Sequence, residues 1–97
     1  MLRVSRTYNV GYKMPEADWQ KLVAVYQQLP GFRGNDDSGS PTWFGREGDV
    51  KYLWASVEPS GLLVEGVLDD SEWQAWDAAF RASASRALGF EVKDADE

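Results

Sequence analysis

The chain has 97 residues, no cysteine, no histidine and a formal net charge of −6. That length holds one domain. The missing residue types exclude a disulfide framework, a thiolate nucleophile, histidine-based triads and zinc motifs, and the acidic balance argues against direct contact with nucleic acid or an anionic membrane surface.

The charge is uneven. Residues 1–33 carry +3 and residues 34–97 carry −9. Five Trp, four Tyr and four Phe give so short a chain a real core. No apolar run is long enough to span a bilayer, and the N-terminus lacks a signal-peptide core. With no cysteine, a cytoplasmic protein is the simplest expectation.

Leu2 to Tyr12 alternates. Leu2, Val4, Tyr8, Val10 and Tyr12 share one face with Arg6 as the odd member, and Arg3, Ser5, Thr7 and Asn9 share the other. This predicts a strand with one wet side, and so a sheet with helices on one face only. Pro15 then opens a helix, with Glu16 and Asp18 in its first turn. Trp19, Leu22, Val23, Tyr26 and Leu29 form its apolar stripe, and Pro30-Gly31 stops it.

Phe32 to Pro41 (FRGNDDSGSP) reads as a surface loop. It fails as a calcium loop, because Ser40 stands at the turn-glycine position and Arg46 where the bidentate Glu belongs. Thr42 to Arg46 reads as a short strand, and Glu47-Gly48-Asp49 as a turn.

Val50 to Leu68 is the organising hairpin. Pro59, Ser60 and Gly61 predict a turn with a bulge at Gly61, which pairs Glu58 with Leu62 and places Trp54 across from Gly66. In that register Tyr52, Trp54, Leu62, Val64 and Leu68 form the core face. Leu53, Ala55, Val57, Leu63 and Val67, with Lys51 and Glu65, form the open one.

Asp69-Asp70-Ser71-Glu72 starts a second helix, with Ser71 and Gln74 as a capping box and Asp70 as the competing cap. The helix runs through Trp73, Trp76, Phe80, Ala84 and Leu88 to a glycine stop at Gly89. Phe90 to Lys93 adds a possible short edge strand. Residues 94–97 read as an acidic disordered tail after a single domain at 1–93.

The element order is strand, helix, three-strand meander, helix and possible strand. It predicts an α+β fold with two helices on one face of a four- to five-stranded, mainly antiparallel sheet. The first strand joins the sheet through the helix, and a right-handed crossover would place it parallel to a neighbour; the element order resembles a variant of the ferredoxin-like (split βαβ) arrangement. The inner helix–strand–strand–strand–helix run is similar to the double-stranded-RNA-binding fold. Its second helix, however, begins with acids where that family places lysines.

No catalytic motif is present, and no phosphate loop follows a strand. A carboxylate, a lysine or a tyrosine would have to carry any chemistry. Glu65 is the acid in mid-strand, expected to face solvent beside Lys51 or Arg3. No cofactor and no metal site is expected.

Size, acidity and the missing catalytic groups resemble small acidic inhibitors: immunity proteins, antitoxins, and phage anti-defence (anti-CRISPR-like) proteins. That resemblance implies a non-catalytic protein, phage- or mobile-element-borne, that blocks a basic, nucleic-acid-handling partner. The expected contacts are Asp36, Asp37, Glu47, Asp49, Asp69, Asp70, Glu72 and Asp77, with Trp43 and Phe44 on an edge strand as aromatic anchors. Two alternatives stand beside it. One is a homodimer, packed through the open face, that binds a small ligand with or without catalysis. The other is a structural or adaptor subunit that adds a strand at an exposed edge.

Overall fold

The computed structural model describes residues 1–11 and 13–97. Tyr12, expected on the core face of the first strand, lies outside the described residues. The elements are β1 (Leu2–Tyr8), α1 (Glu16–Gln28), β2 (Phe32–Asn35), β3 (Pro41–Trp43), β4 (Tyr52–Glu58), β5 (Gly61–Leu68) and α2 (Asp70–Leu88). The five strands form one sheet in the order β1-β5-β4-β3-β2, and the two helices pack on it. The fold is α+β, as the element order predicts.

Two strand expectations change. Every pairing is antiparallel, and β1 joins the sheet beside β5, not parallel to a neighbour. The segment from Phe32 is not all loop. Its first four residues form β2, which pairs with β3 and makes the outer edge. Phe32-Arg33-Gly34-Asn35 carries a glycine and no β-branched residue, so its strand signal is weak.

The central hairpin is shifted by one residue from expectation. Glu58 pairs with Gly61 across a two-residue Pro59-Ser60 turn, so there is no bulge. Gly61 has φ 137°, and a Cβ there would lie 2.3 Å from the Tyr8 carbonyl oxygen. Gly61 is therefore needed for the close approach of β1 as well as for the turn. A one-residue shift turns β4 over. Leu53 and Ala55 are buried beneath the helices with Leu62, Val64 and Leu68. Tyr52 and Trp54 move to the open side, where Trp54 stands across from Glu65 and Leu53 takes the place opposite Gly66.

The core is built on aromatic contacts. Trp76 stacks between Trp73 (5.8 Å) and Phe80 (5.3 Å) and meets Trp43 edge-on at 5.0 Å. Phe80 in turn meets Tyr8 edge-on at 4.7 Å. On α1 the buried residues are Leu22, Val25 and Tyr26, while Val23, placed in the predicted stripe, is 48% exposed. The helix is thus rotated slightly from the expected stripe.

α2 starts earlier than the Ser71–Gln74 box implies. Asp69 is its N-cap, and the Glu72 carboxylate accepts the Asp69 N–H at 3.4 Å. Gln74 instead donates to Asp70 at 2.9 Å. Gly89 closes the helix in the left-handed conformation, as expected.

The C-terminal segment runs beside β1 without forming a strand; Asn9 N–H reaches Lys93, Ala95 N–H reaches Thr7, and a single bridge joins Tyr8 and Asp94. Val92 is buried. The acids expected as a loose tail are engaged: Asp94 pairs with Arg6 at 3.2 Å and Glu97 with Arg81 at 2.7 Å. Among the described residues, no helix is long and apolar enough to cross a membrane.

Candidate partner-binding surface

The loop between β3 and β4 decides where the expected contact residues meet. Arg46 reaches Asp37 in the β2–β3 turn at 3.8 Å, and its backbone N–H donates to Asp49 at 2.8 Å. Two residues after Asp49, Lys51 spans to α2, lying 3.3 Å from Asp69 and 3.0 Å from Glu72. Both partners raise the Lys51 pKa, Glu72 first and then Asp69, through hydrogen bonds to its ammonium. Arg46 and Lys51 therefore tie three acidic segments, 36–37, 47–49 and 69–72, along one border of the molecule. Of the eight expected acids, Asp37, Asp49, Asp69 and Glu72 touch one of these two residues directly. Periodicity does not show this border, because its continuity depends on two cations inside a loop.

Within the border the acids differ. Asp36 turns inward: its Oδ1 accepts the Ser38 and Ser40 backbone N–H groups at 2.9 and 3.0 Å and the Ser38 hydroxyl at 2.6 Å. The Ser38 hydroxyl, followed by these amides, holds its carboxyl below the usual range. This is an Asx-type turn, in which the carboxylate shapes its own loop. Asp49 and Asp69 also hold local structure. Asp37, Glu47 and Asp70 are exposed, and Glu47 projects beside the open face.

The eighth acid, Asp77, belongs elsewhere. It sits between Arg6 (3.5 Å) and Arg81 (3.0 Å) and accepts the Tyr8 hydroxyl in a short hydrogen bond. Arg6, the odd member of the β1 pattern, also lies 5.3 Å over the Trp73 ring. This is an internal clamp joining β1, α2 and the C-terminal segment.

The two expected aromatic anchors are corrected. Trp43 is fully buried, on a strand second from the edge, and its indole N–H donates to the Tyr26 carbonyl at 3.1 Å. Phe44 is half-buried at φ 70°, with its ring against Gly31. The Trp43 side chain is enclosed in the core, and Phe44 packs partly against it.

The residue that sequence reasoning misplaced is Trp54. With the register corrected it stands half-buried on the open face between two shallow hollows. Glu47 lines both hollows. Tyr52, Arg3 and Glu65 complete one, and Asp36 and Ser56 help to form the other. Glu65 accepts the Ser5 hydroxyl at 3.0 Å on this face, while Lys51, one of its expected partners, goes to α2 instead. An aromatic centre beside exposed acids is the arrangement of an anchor with a charged rim. No local signal would have found it: Pro59-Ser60-Gly61 suits a bulged turn by residue type, and the tighter pairing of Glu58 with Gly61 is set by the folded sheet.

No protein-family model matches the chain, and neither a curated protein nor a solved structure matches it at a significant level.

Proposed function

We propose that this chain is a non-catalytic, protein-binding protein of the inhibitor type, whose target presents a basic surface built for nucleic acid. The observation that carries the reading is Trp54 on the open sheet face with Glu47 beside it, at one end of an acidic border reaching the start of α2. Trp54 and Tyr52 supply apolar contact area. Asp37, Glu47 and Asp70 supply charge that steers association and competes with phosphates for the same cations. Blocking of this kind is the mode of immunity-type and phage anti-defence proteins, and a cytoplasmic setting fits it.

The test is binding to a panel of purified nucleases with basic grooves, at low and high salt. The expected result is a complex that weakens as salt rises, is displaced by oligonucleotide, and is lost in Trp54→Ala and Glu47→Lys. Binding that ignores salt and both substitutions would overturn the proposal. Light scattering after size exclusion tests the homodimer on the same face. A salt-resistant dimer that Trp54→Ala dissociates would show the open face used for self-association, and would replace the inhibitor reading.

A further inference from the structure

A separate cavity of about 320 Å³ opens between α1, the β2–β3 turn and the far end of β4. Its origin is local. Pro41 opens β3 and has no N–H to give a ladder. β3 consequently pairs with β4 only at Thr42–Trp54 and Trp43–Leu53. From Ala55 onward, among the described residues, no strand pairs with that side of β4, and the chain at 36–40 forms the β2–β3 turn. Ala55, Ser56 and Val57 are left as one wall of the cavity.

The lining has one chemical character. In a chain that is 27% charged, none of the fourteen lining residues carries a charge. Trp19, Phe32 and Tyr26 supply aromatic walls, and Gln27, Asn35 and Ser38 supply neutral hydrogen-bonding groups. Val23 and Val57, two of the few large apolar side chains left exposed (48% and 39%), belong to the same lining. Burial keeps the Tyr26 phenol neutral, and among the described residues no side chain or main-chain group bonds its hydroxyl, so that donor is available to a ligand in the cavity. The volume lies at the lower end of the range for small-molecule pockets, about 300–1,000 Å³.

We propose that this cavity binds a small, uncharged one- or two-ring compound bearing a hydrogen-bond acceptor that takes the Tyr26 hydroxyl proton. An ionised ligand would lose its hydration here and gain no counter-charge, so the walls select against it. The site contains neither Trp54 nor Glu47, although Ser38, Ser40 and Ser56 also line the hollow beside that pair and Asp36 shapes the turn that forms one wall.

The test titrates three probes of similar size into the protein and follows its backbone amides by NMR: neutral 2-quinolinone, anionic 2-naphthoate and cationic 2-naphthylmethylammonium. Saturable shifts are expected for 2-quinolinone, centred on Val23, Tyr26, Phe32 and Ala55, with the charged probes about tenfold weaker or more. Tyr26→Phe removes a hydroxyl without a protein partner, so it should leave the fold intact and weaken 2-quinolinone about five- to tenfold. Val23→Lys, at an exposed position of the lining, should improve naphthoate binding. Glu47→Lys should change nothing here, which separates this site from the partner surface. Equal affinity for all three probes, shifts centred on another surface, or full affinity in Tyr26→Phe would each overturn the assignment.

Discussion

Trp43 donates its indole N–H to the main-chain carbonyl of Tyr26 at 3.1 Å, and the two rings meet edge-to-face at 5.5 Å. A strand that pairs with its neighbour through only two residues is thereby fastened to α1 by a buried side chain. Trp43 also packs on Phe32 and Trp76, so it joins β2, β3, α1 and α2. Its truncation should act on folding. Trp43→Ala is expected to cost about 3–5 kcal/mol in urea unfolding, whereas Trp54→Ala, on the open face, should cost far less and act on binding.

Gly31 and Phe44 form a second local fit. Gly31 has φ 77°, and a Cβ on it would lie 2.7 Å from the Phe44 ring. Gly31→Ala therefore combines left-handed strain with a collision, for about 2–3 kcal/mol. Gly34 has a similar φ of 81° but open space around it. Gly34→Ala should show the strain alone, about 1 kcal/mol. Denaturation midpoints of the two variants separate the contributions.

Alkaline unfolding should be driven by two phenols. Burial pushes Tyr8 upward, reinforced by its hydrogen bond to Asp77, and burial pushes Tyr26 upward by itself. A raised folded-state pKa means full stability below the unfolded value near 10 and loss as pH rises above it. The slope is about 1.4 kcal/mol per pH unit for each phenol. Absorbance of phenolate should show Tyr8 and Tyr26 ionising only as the chain unfolds. Tyr26→Phe should shift that transition to higher pH.

Asp36 gives the opposite sign. Its carboxyl is held low by the Ser38 hydroxyl and then by the amides of Ser40 and Ser38, so the turn is complete above the ordinary carboxylate value. It should loosen as pH falls through the lowered value. The Ser38 and Ser40 amide resonances report this directly. Asp36→Asn should make them insensitive to pH over that range.

The acidic border rests on Lys51 as much as on its acids. Lys51→Ala should leave Asp69 and Glu72 without their shared cation and lower the thermal midpoint only slightly, because solvent screens so exposed a group. If the inhibitor reading holds, the same change should speed association with a basic target, because it makes the border more negative.

Much of this architecture is legible in the residues themselves. The period-two pattern of β1, the helical stripes, Pro15 at the start of α1 and Gly89 at the end of α2 are local signals, and local physics decides them. The absence of cysteine and histidine likewise limits the chemistry before any coordinates are known. Other features needed the folded chain. Whether Gly61 makes a bulge or a tight turn depends on how closely β1 approaches it, and that one residue decides whether Trp54 lies in the core or on the open face. β2 exists because β3 offers it a ladder, not because its own residues favour a strand. Arg46 reaches Asp37 and Lys51 reaches Asp69 only in the folded chain, and the cavity beside Tyr26 opens where the short β3 pairs with β4 at just two positions. Chain-local preferences set the elements; contacts between residues far apart in sequence set which side chains face a partner or a ligand.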